Sequence, residues 1–198
     1  MEFAKAMEIL ALVAGVIFMV MQIMQHKWMW YVNLVAAASA LIVALCYRSD
    51  GQWAPLWAQV ALNAYFMTMA TIGIVRWRRW KDVSDAGHIH IVRMSVKIKL
   101  ISAAVMFVGT PLLWWILSKT NDPRPLLDAL SFSFSLLGAW WLARSHIEEW
   151  VSWGIADIIL IVLYASGAYW EMTAMYAAYA VSCVLGFIHW KRSGVYVD

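Results

Sequence analysis

The chain has 198 residues, 64% of them hydrophobic and only 14% charged, with a mean hydropathy of +0.68 and a formal charge of +3. That is more apolar than any soluble domain requires, and it describes a membrane protein. The excess of basic residues abuts helix ends, where it meets lipid phosphates, and gives no ground for nucleic-acid binding.

A spanning helix takes about 20 mainly apolar residues. Runs of that length, bounded by charges, Pro, Gly or interfacial Trp, fall at residues 7–25, 28–47, 54–75, 96–117, 126–143, 150–164 and 172–190. The first run follows Glu2 and Lys5 and carries no small-residue cleavage site at the expected distance, so it is expected to stay as a helix. No stretch is left over for a soluble domain. Of the 14 Trp, many fall at the predicted helix ends, where indoles favour the membrane interface.

Taken in chain order, the polar residues inside these runs mark the interior, because a polar side chain facing lipid is costly. Span three carries Gln59, Asn63, Tyr65 and Phe66, with Asn63 and Phe66 three apart on one face. The loop after it holds His88 and His90. Two alternate histidines with no third ligand nearby fit a solvated cytoplasmic loop better than a metal site. Span five carries Asp128, Ser131, Ser133, Ser135, Trp140 and Trp141. Asp128 follows Asn121-Asp-Pro-Arg-Pro and is expected to cap or start its helix. The alternating serines cannot all face one ligand and are expected to cement helix packing.

Span six places Trp150, Trp153 and Asp157 at i, i+3 and i+7, a single stripe of two indoles and a carboxylate able to hold a cation. Trp150 could equally be a belt residue. Asp157 could equally make a structural hydrogen bond, but an ionisable group about two turns into an apolar helix is a functional candidate. Span seven adds Tyr176, Tyr179 and Ser182, with the two tyrosines on one face. Cys46 and Cys183 have no cysteine partner nearby and read as small core residues. No Walker motif, phosphate-cradling loop or nucleophile with its base is present, which argues against ATP-driven transport and against an enzyme. No cofactor is expected.

The chain also repeats itself. Span three ends Gly73-Ile-Val-Arg-Trp77-Arg-Arg and span seven ends Gly186-Phe-Ile-His-Trp190-Lys-Arg. Upstream, Tyr47 precedes Trp53 by six residues with Gly51 between, as Tyr164 precedes Trp170 by six with Gly167 between. Counted back from the two glycines, Asn63 matches Tyr176 and Phe66 matches Tyr179. Three spans are an odd number, so a second copy in the same sense needs one extra crossing. The expectation is an all-α polytopic protein of seven spans in a 3+1+3 parallel repeat: residues 1–95 as the first copy, 96–125 as a linker helix with its outer loop, and 126–198 as the second copy. Parallel repeats are a transporter architecture with the substrate near mid-membrane.

Basic residues favour the cytoplasmic side of short loops. Lys27, Arg76, Arg78, Arg79, Lys81, Arg93, Lys97, Lys99, Arg144, Lys191 and Arg192 fall on one side and Lys5, Arg48, Lys119 and Arg124 on the other. The N-terminus is therefore expected outside and the C-terminus in the cytoplasm.

Asn63-Ala-Tyr65-Phe66 through Gly73 and Trp77, Leu127-Asp128-Ala129-Leu130 with Ser135 and Leu142-Ala-Arg144, Ile147-Glu148-x-Trp150-x-x-Trp153, and Gly186-x-x-x-Trp190 together resemble the PnuC family of bacterial vitamin transporters. The resemblance covers nearly the whole chain. It implies a fold related to the SWEET sugar transporters, a homotrimer in the bacterial inner membrane, and facilitated diffusion of an unphosphorylated vitamin that a cytoplasmic kinase then traps. Members take nicotinamide riboside, thiamine or riboflavin. The nicotinamide riboside type carries Gln where this chain has Asn63 and Ala139, and Asn-Trp where it has Glu149-Trp150. Gly138-Ala139-Trp140-Trp141 and Glu148-x-Trp150 are closer to the thiamine type. The expected substrate is thus thiamine, with nicotinamide riboside as the alternative. Its binding residues are expected to be Asn63, Phe66, Trp140, Trp150, Trp153, Asp157, Tyr176 and Tyr179. Two other classes stay open: a transporter coupled to protons through Asp157, and a membrane scaffold in which the aromatics only pack.

Overall fold

The computed structural model describes residues 2–46, 48–49, 52–53, 57–79, 89–120 and 122–197. Tyr47, Gly51, Ala54, Lys81, His88 and Asn121, all used in the sequence reading, lie outside the described residues. The helices are α1 (Glu2–Ile23), α2 (Met29–Cys46), α3 (Trp57–Arg79), α4 (Val96–Leu117), α5 (Pro125–Leu142), α6 (Glu149–Ser166) and α7 (Trp170–Ser193). Within α4, residues Val105–Gly109 form a π-helical turn. Among the described residues, α1, α2 and α4 to α7 are long and apolar enough to cross a membrane. Helix α3 has the length, but Gln59, Asn63, Thr68, Thr71, Arg76 and Arg78 make it less apolar.

Among the described residues, two short sheets correct the all-α expectation to a mostly helical one. Strand β1 (Arg48–Ser49) pairs antiparallel with β2 (Gln52–Trp53), and β3 (Ile89–Ile91) pairs with β4 (Gly194–Tyr196). His90 is a second correction: it is 4% exposed within β3 and does not lie in a solvated loop. Strand pairing draws it inward, with Val92 N–H donating to the Ser145 carbonyl and Val197 N–H to that of Ile91, both at 2.9 Å.

The chain divides into two compact units, Met1–Ile89 and His90–Asp198. In the first, α1 packs on α2 and α2 on α3; in the second, α4 packs on α5, α5 on α6 and α6 on α7. Outward faces are apolar, as with Ile9, Leu12, Val16 and Val20 on α1, whereas the buried positions favour small residues such as Ala37, Ala44, Ala70, Ala129 and Ala156. This inside-out pattern suits helices in lipid, where close backbone approach drives association. Exposed Trp28, Trp57, Trp114, Trp115 and Trp170 stand at helix ends.

The same kind of joint occurs inside each unit. Helix α1 ends with Gln25 in the left-handed region (φ 47°), His26 N–H bonding to Met21 O at 2.8 Å and Gln25 N–H to Gln22 O at 3.0 Å. Helix α5 ends the same way at Ser145 (φ 57°), with His146 N–H to Trp141 O at 3.0 Å and Ser145 N–H to Leu142 O at 2.9 Å. Both are Schellman caps, which satisfy the last carbonyls and reverse the chain tightly. The next helix then starts with a deeply buried Trp30 or Trp150. Each indole lies where the Cβ of a glycine on the following helix would be, Gly73 for Trp30 and Gly186 for Trp150. Only glycine leaves that space, and in the second unit Trp190, one turn beyond Gly186, meets Trp150 edge-on at 5.6 Å and 86°.

Candidate functional site

Helices α5, α6 and α7 of the second unit carry most of the polar and aromatic residues. Their hydroxyls largely serve packing. Thr110 donates to Ser133 Oγ at 2.8 Å, Ser135 to Ser131 O at 2.8 Å, Ser131 to Asp128 O at 3.1 Å, and Ser152 of α6 to Phe134 O of α5 at 2.7 Å. Ser133 bonds across to α4, as expected of a serine that cements helices, whereas Ser131 and Ser135 bond to carbonyls of α5 itself. Asp128 lies in the first turn of α5, but it is not the capping group: Arg124 is the N-cap residue without a side-chain bond, Pro125 starts the helix, and Asp122 Oδ1 accepts from Arg124 N–H at 2.8 Å.

Asp157 stands in the middle of α6 and is 5% exposed. Its Oδ2 accepts a bond from the Cys183 thiol of α7 at 3.5 Å. Gly154, one turn before Asp157, also faces Cys183, where a Cβ would stand in ordinary contact at 3.7 Å. A thiol is a weak donor and a carboxylate offers about four lone-pair sites, so this bond alone leaves a buried acid poorly compensated. Among the described residues no Lys or Arg pairs with it.

Three tyrosines extend from this acid. Tyr179 and Tyr176 meet edge-on at 6.0 Å and 83°, and Tyr176 stacks on Tyr164 of α6 at 5.4 Å with only 8° between the rings. The Asp157 carboxyl is near enough to act electrostatically on the hydroxyls of Tyr176 and Tyr179. The arrangement is a buried acid beside ordered π faces, which could hold a flat cation.

The other candidates fall elsewhere. Trp153 is half-buried, with its indole on α5 where a Cβ at Gly138 would lie 2.9 Å from the ring. Trp150 is 3% exposed in the α6–α7 interface, so it is neither a belt residue nor part of one wall with Trp153; its Nε1 has no hydrogen-bond partner among the described residues. The stripe therefore splits, Trp153 facing α5 while Trp150 and Asp157 face α7. Trp140 lies under the Arg144 guanidinium at 4.7 Å, near the end of α5. In the first unit, the buried Asn63 donates its amide to Gln59 O at 2.8 Å, and Phe66 leans on Tyr65 at 6.2 Å. Asp157, Tyr176 and Tyr179 are thus brought together, joined by Cys183 and Tyr164. The i+7 spacing from Asp157 to Tyr164 was the signal that could have added Tyr164; nothing in the sequence singled out the thiol.

A family model described as nicotinamide mononucleotide transporter matches residues 5–192. The chain is similar to the riboflavin/roseoflavin transporter RibM of Streptomyces davaonensis, 21% identical over 188 residues that cover 90% of this chain and 81% of the relative. It shares its fold with the crystal structure of the vitamin B3 transporter PnuC at a TM-score of 0.66 and 18% identity, over 96% of this chain and 88% of that one.

Proposed function

The chain belongs to the nicotinamide mononucleotide transporter family and is a multi-pass membrane transporter; from that premise we propose that it takes up a flat, cationic, unphosphorylated B vitamin by facilitated diffusion, thiamine first and nicotinamide riboside as the alternative. The observation that carries this reading is Asp157, buried beside Tyr176 and Tyr179 with a thiol as its hydrogen-bond donor. A buried carboxylate is costly without a counter-charge. A thiazolium or pyridinium ring supplies that charge and presents a flat face to the phenols. Helix α3 is read as the seventh span, its polar residues turned inward, which completes a 3+1+3 arrangement with the N-terminus outside the bacterial inner membrane. The protein acts as a homotrimer, and a cytoplasmic kinase traps the vitamin once it has crossed.

Trp153, Trp140, Asn63 and Phe66 complete the proposed contacts, with Trp150 holding α6 against α7 behind them. The test is uptake of labelled thiamine and nicotinamide riboside into proteoliposomes. The proposal expects equilibration without a pH gradient and loss of uptake in Asp157→Asn. The same poorly compensated carboxyl also favours a second reading, in which Asp157 carries a proton. Accumulation above the equilibrium level driven by a pH gradient would establish that reading and exclude facilitated diffusion.

A further inference from the structure

Tyr164 lies in the last turns of α6, and the tight α5–α6 turn makes these two helices antiparallel neighbours. The end of α6 therefore shares one end of the second unit with the start of α5, where Asp128 stands, and with the early turns of α7, where Tyr176 stands. At that end the rings of Tyr164 and Tyr176 are parallel to within 8° at 5.4 Å, and Tyr169 of the α6–α7 turn meets Tyr164 edge-on at 6.3 Å. Asp128 stands in the first turn of α5 and, like Tyr164 and Tyr176, is half-buried. Asp157 lies two turns back along α6, about 10 Å at 1.5 Å per residue, with Tyr179 beside the path on α7.

Resting on the reading of the chain as a carrier of flat cationic vitamins, we propose that Tyr164 and Tyr176 form an outer stacking station. The vitamin ring inserts between them, with Asp128 facing its charge, before it passes Tyr179 to Asp157. The walls of the slot are already parallel. To admit a ring, the planes have to stand about 7 Å apart, two van der Waals contacts of roughly 3.5 Å each, and the hydrogen bond between the two hydroxyls has to open. Tyr164 and Tyr176 belong to different helices, so the slot opens by a parting of α6 and α7 at this end, which the short turn at Ala168 (φ 60°) has to accommodate. Two stations about 10 Å apart divide one long transfer of a cation across apolar surroundings into shorter ones, each next to a carboxylate.

The experiment uses the full chain in proteoliposomes and measures initial uptake of labelled thiamine and nicotinamide riboside below saturation. Tyr164→Leu removes the stacking face and is expected to lower kcat/KM about tenfold, a size in keeping with a lost aromatic stack. Tyr164→Phe and Tyr164→Trp keep a flat face and should stay within about twofold of wild type. Asp128→Asn, which leaves the rings in place, should slow the cationic nicotinamide riboside about fivefold relative to its neutral reduced form, by removing one charge interaction near the ring. Wild-type rates in Tyr164→Leu, equal losses in all three Tyr164 variants, or no change of charge preference in Asp128→Asn would overturn the station while leaving transport itself intact. Absence of vitamin uptake by wild type would instead overturn the function on which the station rests.

Discussion

Helices α2 and α6 are both 18 residues long, follow the same left-handed cap and seat the same tryptophan against a glycine on the next helix, yet they bury different chemistry. In register from those caps, Met29 stands where α6 has Glu149, Trp30 where it has Trp150, and Ala37 where it has Asp157; counted from Gly73 and Gly186, Ala70 of α3 stands where α7 has Cys183 and Met69 where it has Ser182. The frame is common to both units, and the first fills it with alanine and methionine while the second fills it with acids, a thiol and hydroxyls. Packing features are thus duplicated and chemistry is not. A joint built from Trp and Gly serves helix association wherever it occurs. In the second unit Glu149 and Asp157 are both buried, at a cost to a bilayer-embedded fold.

The contrast can be broken by moving the acid. Ala37→Asp places a carboxylate at the equivalent, 4% exposed position of the first unit without a thiol opposite. An aspartate at a helix centre costs about 2.5–3.5 kcal/mol for insertion alone, so this variant should express poorly and elute as aggregate on size exclusion. A well-folded Ala37→Asp protein would mean that the first unit tolerates buried charge as the second does.

The shared frame is tested next by Gly73→Ala and Gly186→Ala. Each forces a methyl into an indole, and overpacking of that kind costs about 1–3 kcal/mol. Thermal unfolding in detergent should show similar losses for the two, smaller than that of Ala37→Asp. A loss at one glycine alone would show that the two joints are not equivalent.

Cys183→Ala is the smallest perturbation. It removes a weak donor from Asp157 and is expected to change vitamin affinity by less than about threefold, a difference below 1 kcal/mol. A larger effect would move the thiol from supporting the acid to contacting the ligand.

Much of this frame was legible in the sequence because lipid imposes it. Spans follow from apolar length, and the expected boundaries of α2, α4 and α6 fall within two residues of those observed. The repeat was visible through Gly73 with Trp77 and Gly186 with Trp190. Its stronger basis, Trp30 and Trp150 lying on those glycines, was not, since a contact between helices leaves no mark on spacing along either one. Helical periodicity placed Tyr176 and Tyr179 together correctly. It failed for Trp150 with Trp153, because residues three apart on a helix wedged between two neighbours can each face a different one. His90 escaped for another reason: three residues of strand, paired with a chain segment over a hundred residues away, have too little local pattern to be read.

The central claim is that vitamin binding depends on the acid of the second unit and not on the frame common to both. Calorimetric titration of wild type, Asp157→Asn and Asn63→Ala with thiamine and nicotinamide riboside tests it directly. The account predicts that Asp157→Asn lowers affinity for the cationic vitamin at least about tenfold, some 1.4 kcal/mol, in a protein that elutes and melts like wild type. Unchanged affinity in Asp157→Asn, with binding lost instead in Asn63→Ala, would contradict it.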